Sequence, residues 1–109
     1  MTTVYKVLGQ SYPSSQTATT LYTVPAANST VVSTITIANL AATYANFTIA
    51  VRPAGATLTN SQYISYQTSL APNDTVGLTL GITLGNTDVI SVSSNTGNVT
   101  FNAFGSENY

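Results

Sequence analysis

The chain has 109 residues, a length that fits one domain, and only five of them are charged: Lys6, Arg52, Asp74, Asp88 and Glu107. Charged residues make up 5%, against about 25% in a typical soluble protein, and His, Cys and Trp are absent. Those counts exclude a thiol nucleophile, a disulfide frame, a Cys/His metal site and a Ser-His-Asp triad.

Other classes are also disfavoured. Two basic residues cannot neutralise a phosphate backbone, so no nucleic-acid partner is expected. A net charge of -1 gives no long-range steering. At 43% hydrophobic residues the chain can bury a core without metal or disulfide, and it lacks the composition of intrinsic disorder. No stretch approaches the roughly 18 apolar residues of a membrane span. The start, MTTVYKVLGQ, lacks the pattern of a signal peptide, and the absence of Cys fits an intracellular origin. Asn-X-Ser/Thr triplets at Asn28, Asn46, Asn73 and Asn98 are expected by chance in a chain rich in Asn, Ser and Thr.

In chain order, the sequence predicts about eight strands, near 3–9, 18–24, 30–39, 44–52, 61–68, 74–81, 86–93 and 98–106. Thr, Val, Ile and Tyr favour a pleated, half-buried surface. Apolar residues recur with a period of two: Val31, Ile35, Ile37; Phe47, Ile49, Val51; Val76, Leu78, Leu80; Ile90, Val92; and Phe101. These residues are the expected core. Turn signals separate the runs, among them Val24-Pro25-Ala26-Ala27-Asn28, Arg52-Pro53-Ala54-Gly55 and Ala71-Pro72-Asn73-Asp74. In Gly77-Leu78-Thr79-Leu80-Gly81, two glycines inside a strand pattern predict a bend, a bulge or a close approach by another backbone. The expected fold is all-β: a single-domain antiparallel β-sandwich over residues 1–109, jelly-roll-like or Ig-like.

Little here can carry catalysis. Asp74 and Asp88 each follow a turn signal; each reads as bonding its own turn rather than pairing as general acid and base or holding Ca²⁺. No enzymatic activity, metal or cofactor is expected. Lys6 reads as a solvated residue on an edge strand. Arg52 reads either as a solvated strand end or as a bidentate partner for a carboxylate. Tyr63 and Tyr66 stand three apart and should point to opposite faces of a strand. Tyr5, Tyr12 and Tyr22 lie near strand or turn edges. Tyr5, Tyr12, Tyr22, Arg52, Tyr63 and Tyr66 are therefore the candidate interface residues. A Thr/Ser/Asn surface with so few charges is poorly protected against self-association and suits life inside a large assembly.

Several segments together resemble a small β-rich module of tailed-bacteriophage virion proteins. They are Leu21-Tyr22-Thr23-Val24-Pro25-Ala26, Ser29-Thr30-Val31-Val32-Ser33-Thr34-Ile35, Thr48-Ile49-Ala50-Val51-Arg52-Pro53-Ala54-Gly55-Ala56, Asn73-Asp74-Thr75-Val76, Thr87-Asp88-Val89-Ile90-Ser91-Val92 and Phe101-Asn102-Ala103-Phe104-Gly105. The resemblance implies a virion structural protein, foremost a capsid decoration or cement protein. It would be located in the virion after synthesis in the host cytoplasm. Its partners would be the major capsid protein or other virion proteins, and it would form a homo-oligomer, with a trimer as first expectation; no membrane is implied. The alternative is a tail, baseplate or fibre component that binds a host-surface glycan through exposed Tyr and Asn.

Overall fold

The structure, a computed structural model, describes residues 2–109. Nine strands form two antiparallel sheets: β1 (Thr3–Ser11), β2 (Thr19–Thr23), β3 (Ser29–Asn39), β4 (Ala45–Arg52), β5 (Tyr63–Leu70), β6 (Thr75–Leu78), β7 (Ile82–Leu84), β8 (Val89–Ser94) and β9 (Val99–Asn108). One sheet runs β1-β9-β3-β6, with β7 also paired to β3; the other runs β2-β8-β4-β5.

The order of strands selects between the two expected sandwiches. Both β6 and β7 pair with β3, so together they fill one edge position as a single broken strand. Counted that way, the first, eighth, third and sixth strands make one sheet, and the second, seventh, fourth and fifth make the other. That is a jelly roll. An Ig-like sandwich keeps its first two strands in one sheet, whereas here β1 and β2 lie in different sheets. The Ig-like alternative is therefore set aside.

The core lies between the sheets. Phe101 on β9 meets Phe47 on β4 edge to face, with ring centres 6.5 Å apart and a 73° interplanar angle. Ile35, Ile37, Ile49, Ile90 and Val92 are fully buried around them, as the alternation requires. Val51, Val76 and Leu78 are only partly buried and pack on the edge of this cluster.

Two expected core residues are exposed, for identifiable reasons. Val31 lies outside and Val32 inside. The β3–β9 ladder slips between Val32 and Thr34, so Ser33 is an extra residue that inverts parity. The Ser33 hydroxyl donates to the Phe104 carbonyl at 3.1 Å and fixes this bulge. Gly105 sits under it, where a Cβ would collide with the Val31 carbonyl. Leu80 is exposed because the ladder stops at Leu78 and resumes at Ile82. The bend predicted from the two glycines occurs at Gly81, whose φ of +62° suits a residue without a Cβ. At Gly77, paired in the ladder with Thr36, an added Cβ would meet nothing within 4 Å, so no close approach calls for glycine there.

The sandwich ends are fastened by side chains. Buried Asn39 donates from Nδ2 to the carbonyls of Thr43 and Ala71 and accepts from the Ala41 N–H, tying two loops together. At the opposite end Asp88 accepts from the N–H groups of Ala54 and Gly85, at 2.9 Å each. Asp74 accepts from the N–H of Thr75. Both aspartates thus bond turn backbone, as their positions predict. Among the described residues no helix is long and apolar enough to cross a membrane.

Candidate functional site

Asp74 and Asp88 do not form a carboxylate pair. The Asp74 carbonyl bonds Asn39 at the end of β3, whereas Asp88 closes the turn after Leu84, which pairs with Thr30 at the start of β3. The strand between Thr30 and Asn39 separates them by about 30 Å at roughly 3.3 Å per residue. A retaining glycosidase needs about 5 Å.

The first surface of interest is the outer face of the five-stranded sheet. On it, Tyr5 of β1 lies opposite Ser106 of β9, which lies opposite Val31 of β3. In the next row Val7 lies opposite Phe104, and Phe104 opposite Thr34. Tyr5, Val7, Val31 and Phe104 are all exposed, Tyr5 at 83%. They form one apolar strip across three adjacent strands, bordering the free edge of β1. The Ser33 bulge creates it, because that parity slip turns Val31 outward. Tyr12, also exposed, borders a shallow dent beside Asn102 on the same sheet.

The second surface is a groove on the outer face of the four-stranded sheet, about 450 Å³ in volume. Tyr63 and Tyr66 form one wall, with ring centres 4.7 Å apart and a tilt of 59°. The expectation that they point to opposite faces is overturned. In the β4–β5 ladder Ser65 pairs with Ile49 and Tyr63 with Ala50, so Ile64 is an extra residue that restores both tyrosines to the outer face. A second irregularity follows, where Gln67 has a φ of 49° and its N–H donates to Thr48 Oγ1 at 3.0 Å.

The third feature is interior. Glu107 is 5% exposed and Tyr22 is 7% exposed. The Tyr22 hydroxyl donates to Glu107 Oε2 at 2.5 Å and shares a 2.8 Å hydrogen bond with Thr30 Oγ1, while Lys6 Nζ donates to Glu107 Oε1 at 3.2 Å. Tyr22 belongs to one sheet; Glu107, Thr30 and Lys6 belong to the other. The phenol hydrogen bond holds the Glu107 carboxyl below the usual carboxylate range, helped by Lys6 and opposed by burial. Burial, then the Glu107 carboxylate, pushes the Tyr22 phenol up to about 12.

Two expectations are corrected by this cluster. Tyr22 is not an interface residue: a register slip at Leu21 pairs it with inward-facing Ile90 and leaves it almost no surface. Lys6 is not merely a solvated edge residue, since it forms the one ion pair found among the described residues. Arg52 meets neither reading in full. Its guanidinium donates to the Ala56 carbonyl at 3.3 Å, and its Nε is buried without a hydrogen-bond partner. The sequence reading missed Val7, Phe104 and Glu107 as site residues. Pairing alternation could have marked Val7 and Phe104 as neighbours; nothing local marked Glu107.

No protein-family model matches the chain, and no curated protein matches it. Among solved structures, a chain from the structure of infectious bursal disease virus, Gt strain, is similar to it. The TM-score is 0.48 and the identity 10%, over 96% of this chain and 31% of that chain. The present chain thus spans about a third of that neighbour's length, and the neighbour is not from a tailed bacteriophage. A likeness at that score carries no argument about function. The jelly roll itself serves in both virus-shell and lectin domains, so the fold alone does not choose a role.

Proposed function

We propose that the chain is a structural module of a virion, acting as a capsid decoration or cement protein with a mechanical and not a catalytic role. One observation carries the reading: the outer face of the five-stranded sheet presents Tyr5, Val7, Val31 and Phe104 as a connected apolar strip. A chain with 5% charged residues has little else to keep such a face in water. Aromatic and aliphatic anchors in a polar Thr/Ser/Asn surround are what a protein interface requires. In this reading the strip seats on shell subunits, and the resemblance to phage modules favours a tailed phage as the source.

Attachment should then barely depend on salt. Screening and counterion release both scale with the charges engaged, and Lys6 and Glu107 are already committed to each other. Occupancy should be retained when purified particles are washed with NaCl up to roughly 1 M, where the Debye length is about 3 Å. Replacing Tyr5 and Phe104 together by Ser should release most copies while leaving the fold intact. Release of the wild-type chain by salt alone would sink the proposal. A tail or fibre location is the second reading, favoured by the tyrosine groove; mass spectrometry of separated heads and tails distinguishes the two.

Self-association is a separate contact in this reading, since the strip is given to the shell, with a cyclic trimer as the proposed order. Sedimentation equilibrium should show an oligomer that the Tyr5/Phe104 double substitution leaves assembled. A single-chain species at every concentration tested would rule the oligomer out.

A further inference from the structure

The groove on the four-stranded sheet lies on the other face of the sandwich from the apolar strip, and its chemistry is different. Three observations define what it can hold. The first is the aromatic corner. Tyr63 and Tyr66 meet at 4.7 Å and 59°, and Tyr66 remains 60% exposed. A tilted pair of rings offers π faces to C–H groups, whose slight positive charge suits the negative face of an aromatic ring. Internal packing does not account for Tyr66, because most of its surface meets solvent.

The second observation is the polar complement. Asn95 Oδ1 is occupied by the Asn46 N–H at 2.8 Å, which fixes the side chain and leaves its Nδ2 group as a donor. Thr48 Oγ1 accepts from the Gln67 N–H, so the threonine hydroxyl keeps its proton for an incoming acceptor. Gln67 reaches the Tyr66 hydroxyl at 3.5 Å. The groove also takes in Gln16, Ser93 and Ser94. Amides and hydroxyls, which both donate and accept, line it; none of the five charged side chains does.

The third observation is that the corner is held at a cost. Unbroken alternation would place Tyr63 and Tyr66 on opposite faces. The slip at Ile64 brings them together, and at a second slip beside Tyr66 the next residue, Gln67, adopts a φ of 49° that disfavours a side chain. Backbone strain of this kind persists where the surroundings over-determine it, and it concentrates at ligand clamps.

We propose that this groove binds a neutral pyranose saccharide. A pyranose ring has one face of C–H groups and a rim of hydroxyls. The face would lie on Tyr66 and Tyr63, and the hydroxyls would bond Asn95, Thr48 and Gln67. An uncharged lining gives no counter-charge to a sialic acid, a uronic acid or a phosphorylated sugar. Their carboxylates or phosphates would be desolvated without a partner. The site needs no assumption about head or tail, because it shares no residue with the strip on the opposite sheet.

The test is titration of the ¹⁵N-labelled full chain with the methyl glycosides of glucose, galactose, mannose and N-acetylglucosamine, and with the methyl glycoside of sialic acid as the anionic arm. A ring of about a dozen heavy atoms at ordinary ligand efficiency binds with Kd on the order of 1 mM. At least one neutral glycoside should saturate with shifts confined to residues 46–48, 63–67 and 93–95. Tyr66→Ala should weaken that binding about tenfold or more while keeping a dispersed spectrum, since the side chain is mostly solvent-exposed. Tyr63→Phe should keep stacking and change the affinity little. The Tyr5/Phe104 double substitution, on the other sheet, should bind the glycoside as the wild type does. Three outcomes would each overturn the proposal: no saturable shift with any neutral glycoside, shifts that survive Tyr66→Ala, or preferred binding of the sialic acid glycoside. Particle attachment that survives the Tyr5/Phe104 double substitution would count against the cement reading and leave this site standing.

Discussion

Phe101→Ala is expected to lower the free energy of unfolding by about 3–5 kcal/mol, the usual cost of truncating a buried aromatic ring. The ring is 0% exposed and stands edge-on to Phe47, joining the two sheets. The strand that carries it cannot close the gap. On β9, Phe101 is paired with Ser11 of β1 on one side and with Ile37 of β3 on the other, so hydrogen bonds on both edges hold the backbone in place. The cavity would remain largely open, and the residual volume adds to the lost transfer free energy. The aromatic pair contributes about 0.5–1.5 kcal/mol beyond its area. Against a total stability of about 5–15 kcal/mol, that loss is a large share. Urea denaturation should show a lower midpoint at an unchanged slope. Phe104→Ala, three residues along the same strand but on the outer face, should shift stability by only about 0.5 kcal/mol. Comparable losses at both positions would show that the inward and outward faces of β9 are misassigned.

The contrast between Phe101 and Phe104 also marks what the sequence could and could not reveal. Period-two alternation identifies a strand and its buried face while the ladder stays in register. It succeeds for Ile35, Ile37, Phe47, Ile49, Ile90, Val92 and Phe101. It fails wherever one residue is inserted, because a single slip exchanges the two faces. Val31 and Val32 are chemically identical, so only the bulge at Ser33 decides which is buried. Ser33 carries no local mark; its role depends on the Phe104 carbonyl of a distant strand. The same holds at Ile64, where an unremarkable residue turns two tyrosines onto one face. The turn signals and strand count were sufficient for a sandwich. The choice of a jelly roll was not legible, because it depends on which strands meet across the sheets and no turn residue encodes that. The most buried charge was also hidden. Glu107 near the end of a polar chain reads as solvated, and its main partner Tyr22 is 85 positions away.

That hidden pair sets the pH dependence of the fold. Tyr22→Phe keeps the ring and its packing but removes the one hydroxyl that reaches from the four-stranded sheet to Glu107. A hydrogen bond to a charged group is worth about 1.5–3 kcal/mol, and the substitution leaves a buried carboxylate held mainly by Lys6. Stability near neutral pH should fall by about that amount. Glu107 has its folded pKa depressed, chiefly by the Tyr22 phenol. The unfolded carboxyl therefore takes up its proton first, near pH 4.3. The contribution of Glu107 is complete above that value and is lost as pH falls through the lower folded pKa. Tyr22 has its folded pKa raised to about 12, against about 10 when unfolded. Its contribution is complete below pH 10 and is lost as pH rises toward 12; a shift of that size corresponds to about 2–3 kcal/mol. The wild type should therefore show a plateau of stability between about pH 5 and 9, with both limbs descending outside it. Subtracting the Tyr22→Phe profile removes every other titrating group. The difference should be largest across the plateau and shrink at both ends, in acid as Glu107 is neutralised and in base as the wild-type phenol ionises. Lys6→Ala, whose side chain is 45% exposed, should cost only about 0–1 kcal/mol and should leave the alkaline limb in place. Urea midpoints measured from pH 3 to 12 on the three proteins decide the matter. A wild-type-minus-Phe difference that stays flat across that range would show that the Tyr22–Glu107 bond does not control the titration of either group.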